Sequence, residues 1–101
     1  MIIEEVFRST SGFEWDRGNI EKIWNKHDVR PDEAEEVFFN KPVLMLPDTI
    51  HSTYEERFHT MGKTDSGRQL FITWTVRNFK VRVISARPMS RKERGMYEQQ
   101  F

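Results

Sequence analysis

Apolar positions along the chain follow two different periods, helical before residue 40 and close to alternating from residue 43 onward. Ile20, Ile23, Trp24 and His27 recur at helical spacing, predicting an amphipathic helix of roughly three turns. "FEWD" (13–16) precedes it as a short strand or aromatic anchor ending in an Asp N-cap. Pro31 suits the first position of a second helix, with Asp32 and Glu33 at its positive end and Ala34, Val37 and Phe38 on its apolar face. From residue 43 the segments "VLMLPD", "RFHTMGK", "QLFITWTVR" and "FKVRVISAR" are short and rich in β-branched and aromatic residues. "TDSGR" (64–68) carries a Gly-based hairpin turn and "RNFK" (77–80) a tight one, so the strands they join are antiparallel neighbours. Pro88 ends the last strand, and "SRKE" (90–93) is a capping box that opens a final helix. The expected fold is α+β: a compact antiparallel sheet of three to four strands, two N-terminal helices packed on one face, and a C-terminal helix.

Composition narrows the class. At 101 residues the chain is expected to be one domain, spanning 1–101. Its apolar fraction is only 37%, but three Trp, eight Phe and two Tyr bury large areas per residue, so it folds rather than staying disordered. The absence of cysteine excludes a disulfide framework, a thiolate nucleophile and a Cys-type zinc site. No apolar run is long enough to span a bilayer, and the acidic N-terminus "MIIEEVFRSTSG" is no secretory signal; a cytoplasmic protein without membrane contact is expected. Trp15 and Trp24 read as core, and so does Trp74 unless it faces a groove and stacks a base.

Charge changes the picture more. The formal net charge is zero, yet residues 1–50 hold 6 basic and 11 acidic side chains and residues 51–101 hold 10 and 5, so the halves carry −5 and +5. Either the C-terminal half meets an anion such as nucleic acid, or the two halves attract each other within the fold. Arg57, Arg68, Arg77, Lys80, Arg82 and Arg87 lie on or beside the strands, and Arg91, Lys92 and Arg94 on the last helix. Guanidinium binds phosphate oxygens through a planar fork and stays charged, which suits a phosphate cleft. Residues on a strand alternate faces, so Arg82 and Arg87 point to opposite sides unless a bulge intervenes.

Acid–base chemistry is harder to place. His27 follows Lys26 at the end of the first predicted helix, where it satisfies terminal carbonyls or acts as a base. His51 and His59 have no metal-ligand spacing, so no metal site and no cofactor are expected. "DEAEE" (32–36) reads as a helix start rather than a catalytic carboxylate pair, and no phosphate loop or nucleophilic triad is present.

The order of motifs resembles the BrnT family, the toxin half of BrnT/BrnA modules. The likeness rests on "FEWD" (13–16), "NKH" (25–27) with Asn19 and Ile20 ahead of it, and "DEAEEVFFN" (32–40). It continues through "ERFHTMGKTDSGRQLFITWTVR" (56–77), "VRVISARPMSRKER" (81–94) and Tyr97, covering residues 13–97. The chain departs from the family pattern in three places: Asp28 replaces a Gly at the helix end, Arg30 a Ser or Thr, and the Asn78-Phe79 pair a Gly-containing turn. The first twelve residues form an N-terminal extension, expected as an extra strand, a flexible arm or a misassigned start.

The resemblance implies a RelE-like fold and a type II toxin, a metal-independent endoribonuclease that arrests translation. It implies a BrnA-like ribbon-helix-helix antitoxin as partner, RNA as substrate, and promoter DNA contacted only through the antitoxin complex. Carried over by position, Arg57, Arg82, Arg87 and His27 are the catalytic candidates. Lys26, Arg68, Arg77, Arg91, Arg94 and Tyr97 are the RNA-binding ones. For the base and acid of a 2′-hydroxyl mechanism, His27, Lys26, His59 and Tyr97 are candidates. Arg87 is expected at the sheet rim beside the positive end of the Ser90-capped helix. A non-catalytic RNA- or protein-binding module with a basic C-terminal half is the alternative.

Overall fold

The computed structural model describes residues 2–101. In chain order these form α1 (Ile3–Arg8), α2 (Arg17–His27), α3 (Pro31–Phe39), β1 (Leu44–Pro47), β2 (Phe58–Lys63), β3 (Gln69–Arg77), β4 (Lys80–Pro88) and α4 (Arg91–Gln99). The four strands make one antiparallel sheet in sequential order. The α+β meander expected from the alternation is therefore present.

The alternation sorts side chains between two faces. Met45, Phe58, Leu70, Ile72, Trp74, Val81, Val83 and Ala86 enter the main core, where α2 and α3 cover them with Ile23, Ala34, Val37 and Phe38. Trp74 is fully buried and donates to Thr60 Oγ1 at 2.7 Å, so its indole is satisfied inside the core and stacks no ligand. Gly62 permits the close approach of α3 to β2, because a Cβ there would meet Val37 at 3.1 Å.

Residues 2–12 are where the sequence reading fell short; Met1 lies outside the described residues. Ile3, Val6 and Phe7 fall at helical spacing, Glu4 and Glu5 sit in the first turn and Arg8 in the last, and this segment forms α1 rather than a strand or a free arm. Phe7 stacks on Phe38 with ring centroids 5.0 Å apart, and Ile3 is buried. The chain then runs beside β4, with Gly12 O accepting from Val81 N and Glu14 N donating to Val81 O.

Trp24 also departs from expectation. It is 49% exposed and Ile20 37%, because the inward stripe of α2 runs through Asn19 and Ile23 instead. Asn19 earns its buried place by closing a reciprocal capping box with Asp16 and donating to Glu14 O. That box fixes the helix rotation and leaves positions 20 and 24 outside. Trp15 is partly buried and donates to Glu35 at 2.7 Å, tying the entry of α2 to α3.

The second face carries a smaller cluster. Met61, Met89 and Tyr97 are buried there against Leu44, Leu46 and Phe71, so α4 covers only one end of this face. The Ser90–Glu93 capping box opens α4 as predicted. The ten residues from Asp48 to Arg57 form a longer connection than the other turns, closed at its base by Asp48 N donating to Arg57 O. This loop and the uncovered end of the sheet frame the site.

Candidate active site

Cross-strand register builds the floor of the site in rows. Leu46, His59, Thr73 and Ser85 lie opposite one another across β1 to β4, and Leu44, Met61, Phe71 and Arg87 form the next row. The second row is largely under α4, whereas the first is open. Above it lies a cleft of about 390 Å³, bordered by Asp48, His51, Arg57 and Arg87, with Lys22 reaching in from α2.

A bulge decides which arginines share this face. Thr73 pairs with Ser85 while Trp74 pairs with Val83, so Ile84 has no partner on β3. Five positions separate Arg82 from Arg87, an odd number that would place them on opposite faces of a regular strand. The extra residue reverses the parity, and both arginines leave the sheet on the side away from the main core. Arg82 is held by Glu14 at 3.0 Å and Asp16 at 2.9 Å, which ties β4 to the cap of α2.

Arg87 donates to both carboxylate oxygens of Glu93 at 2.7 and 2.8 Å, and its guanidinium carbon lies 4.4 Å from the Phe71 ring centre. This pairing pulls the Glu93 carboxyl down to about 2. Arg57 differs from its neighbours. Its nearest carboxylate oxygen, on Glu55, is 4.0 Å away, and among the described residues its Nε is the one buried side-chain N or O atom without a partner. Arg57 is thus the least neutralised guanidinium of the cleft.

Asp48 connects two histidines. Its carboxylate is buried, with Oδ2 3.0 Å from His51 Nδ1 and 3.4 Å from His59 Nε2. Burial by itself would raise the Asp48 carboxyl, but the His51 backbone N–H, the His51 ring and the charge of His59 hold it below its ordinary value. His59 Nδ1 lies 3.1 Å from Thr73 Oγ1, and burial pushes the His59 imidazole down, against the opposing pull of Asp48. His51 is mostly exposed; with Nδ1–H directed at Asp48, its Nε2 is left free in the cleft. Such an Asp–His arrangement fixes the tautomer that presents a basic nitrogen.

The remaining predicted residues are distributed elsewhere. Arg68 donates to Glu33 and to the carbonyls of Asp28 and His27 at the C-terminus of α2. That terminus closes through Asp28 in the left-handed region at φ 53°, so Arg68 supports the end that lacks the usual glycine. His27 and Lys26 lie at this end, outside the cleft lining. Arg77 is paired with both oxygens of Glu55. Arg91 is exposed in the first turn of α4, and Arg94 donates to Met89 O. Tyr97 is buried and donates its hydroxyl to Pro42 O, anchoring α4, while burial raises its pKa. Of the four residues considered as base or acid, only His59 borders the cleft. The sequence reading missed the Asp48–His51 pair; its signal is an Asp-x-x-His turn directly after a strand, where the Asp side chain accepts from the His backbone.

A four-stranded antiparallel sheet, helix-covered on one face and bearing a cation-lined cleft with an Asp–His pair on the other, defines a small α+β domain of the type suited to phosphodiester chemistry. Sequence comparison places it further. The chain belongs to the BrnT family, the ribonuclease toxins of type II toxin–antitoxin systems, whose family model matches residues 15–93. None of the curated proteins compared with the chain matches it. The matched region contains every residue of the cleft and leaves α1 outside. No helix among the described residues is long and apolar enough to cross a membrane.

Proposed function

We propose that this chain cleaves RNA in the cleft between the 48–57 loop and β4, by attack of a 2′-hydroxyl on the adjacent phosphate and without a metal ion. The observation that carries the reading is the Asp48–His51 pair standing in one cleft with Arg57 and Arg87. His51 Nε2 takes the 2′-hydroxyl proton as the O2′–P bond forms. Arg57 and Arg87 stabilise the charge on the phosphorane, a contribution whose removal commonly lowers rates 10²–10³-fold per donor. The P–O5′ bond then breaks, the leaving oxygen takes a proton from water, and the proton held on His51 neutralises the hydroxide so formed, restoring the free imidazole. The products are a 2′,3′-cyclic phosphate and a 5′-hydroxyl. Asp48 orients His51, and His59 with Thr73 positions Asp48 from below.

In this reading loss of messenger RNA arrests translation, and a BrnA-like ribbon-helix-helix antitoxin neutralises the toxin by covering or flanking the cleft. Ribbon-helix-helix proteins are dimers, which makes a 2:2 complex the simplest closed assembly; the complex contacts promoter DNA through the antitoxin.

The test is incubation of purified protein with RNA in EDTA, wild type against His51→Gln. Discrete products ending in cyclic phosphate, with turnover reduced about 10²–10⁴-fold in the variant, are expected. Binding without cleavage in the wild type overturns the reading in favour of a non-catalytic RNA-binding module. Cleavage that requires added Mg²⁺ overturns its metal-free form.

A further inference from the structure

Next to the main cleft lies a second depression of about 230 Å³, and Lys22, Arg57 and Ile84 line both. The two therefore adjoin, with the bulged residue of β4 between them. Arg77 and Arg82 line the far side of the smaller compartment, beside the first turn of α2 at Gly18. The charges there are not equivalent. Arg77 is held by Glu55, and Arg82 by Glu14 and Asp16. Lys22 is exposed on α2 and, among the described residues, forms no ion pair or side-chain hydrogen bond. The compartments also differ in lining: Phe71 borders the larger, whereas no aromatic residue borders the smaller.

We infer that the smaller compartment is a binding site for a second phosphate of a single nucleic-acid strand, the one flanking the scissile phosphate, gripped by Lys22. Bases stack on aromatic faces, so a compartment without one and walled by cations suits backbone rather than base. Arg77 and Arg82, fixed by their carboxylates, shape the wall. Lys22 supplies the uncommitted charge, and Arg57 at the junction reaches either phosphate. The inference rests on the proposed RNA cleavage for its biological sense. Its test does not.

Single-stranded DNA lacks the 2′-hydroxyl and is not cut by the proposed chemistry, so it reads the groove alone. Binding of a deoxydinucleotide with one phosphate and a deoxytrinucleotide with two, both fluorescently labelled, is measured between about 50 and 200 mM salt. Wild type should bind the trinucleotide more tightly, with a salt slope steeper by about 0.7 for the added phosphate. Lys22→Ala should lose about tenfold on the trinucleotide together with that increment of slope, and should weaken the dinucleotide markedly less. Lys22→Arg should restore both. The inference is overturned if Lys22→Ala binds the trinucleotide as wild type does, or if both oligonucleotides weaken equally. Failure of RNA cleavage in the wild type, with these binding results intact, sinks the catalytic reading and not the phosphate site.

Discussion

Glu93 serves two structures at once, accepting from the Ser90 backbone N–H at the start of α4 and holding Arg87 over Phe71. Its carboxyl lies at about 2 in the fold, against an ordinary 4.5. A carboxyl whose pKa is depressed by folding contributes stability that is complete above the unfolded value and lost as pH falls toward the folded one. The window is therefore pH 4.5 down to about 2. Urea midpoints should decline through it in the wild type, and Glu93→Gln should remove part of that decline. His59 works at milder pH. Burial lowers its pKa from 6.5, so the folded state favours the neutral ring, and its contribution falls as pH drops below that ordinary value. A flatter stability profile between about pH 7 and 5 is expected for His59→Gln.

At the level of elements, the β3–β4 hairpin stores strain. Asn78 and Phe79 both have positive φ, 52° and 63°, as a two-residue hairpin of this hand requires. Asn tolerates this conformation; a bulky side chain does not, and costs about 1 kcal/mol or more. Phe79 is 79% exposed, so little packing offsets the strain. Phe79→Gly should raise the thermal midpoint by about 4–8 °C, the shift that roughly 1 kcal/mol produces in a domain of this size. No rise would mean that the entropy of the added glycine offsets the relief. The bonds from Ser11 to Phe79 O use only backbone on the hairpin side and survive the change.

Across the whole molecule, the −5 and +5 halves do attract each other within the fold, though not at every arginine. Arg68 and Arg82 join carboxylates of the N-terminal half, while Arg57 faces the cleft with little neutralisation. Glu33 is buried and depends on Arg68. Arg68→Ala leaves that carboxylate only Arg30, with its guanidinium 3.8 Å away and its backbone N–H, and frees the end of α2, so a stability loss of about 1–3 kcal/mol in urea is expected. Cleavage by the folded variant at low temperature should persist, because Arg68 is not part of the cleft lining. Loss of cleavage without loss of stability would place Arg68 on the substrate instead.

Local signals in the chain were enough for α2, α3, α4 and the four strands, since periodicity, Pro31 at a helix start and the Ser90–Glu93 box act within a few residues of themselves. α1 was legible in the spacing of Ile3, Val6 and Phe7, but the expectation of an extra strand, a flexible arm or a misassigned start missed it. The site was not legible in the same way. Which arginines face the cleft depends on the parity of β4, and that parity was changed by one unpaired residue, Ile84, whose bulge exists only because β3 pairs beside it. The Asp48–His51 turn could be read locally, but its meeting with His59 and Arg87 required strands β1 to β4 to align in register. Residue type and local rotation are properties of a short stretch of chain. Neutralisation of a charge is a property of what folds against it, which is why Arg57, Arg82 and Arg87 look alike in sequence and differ in the structure.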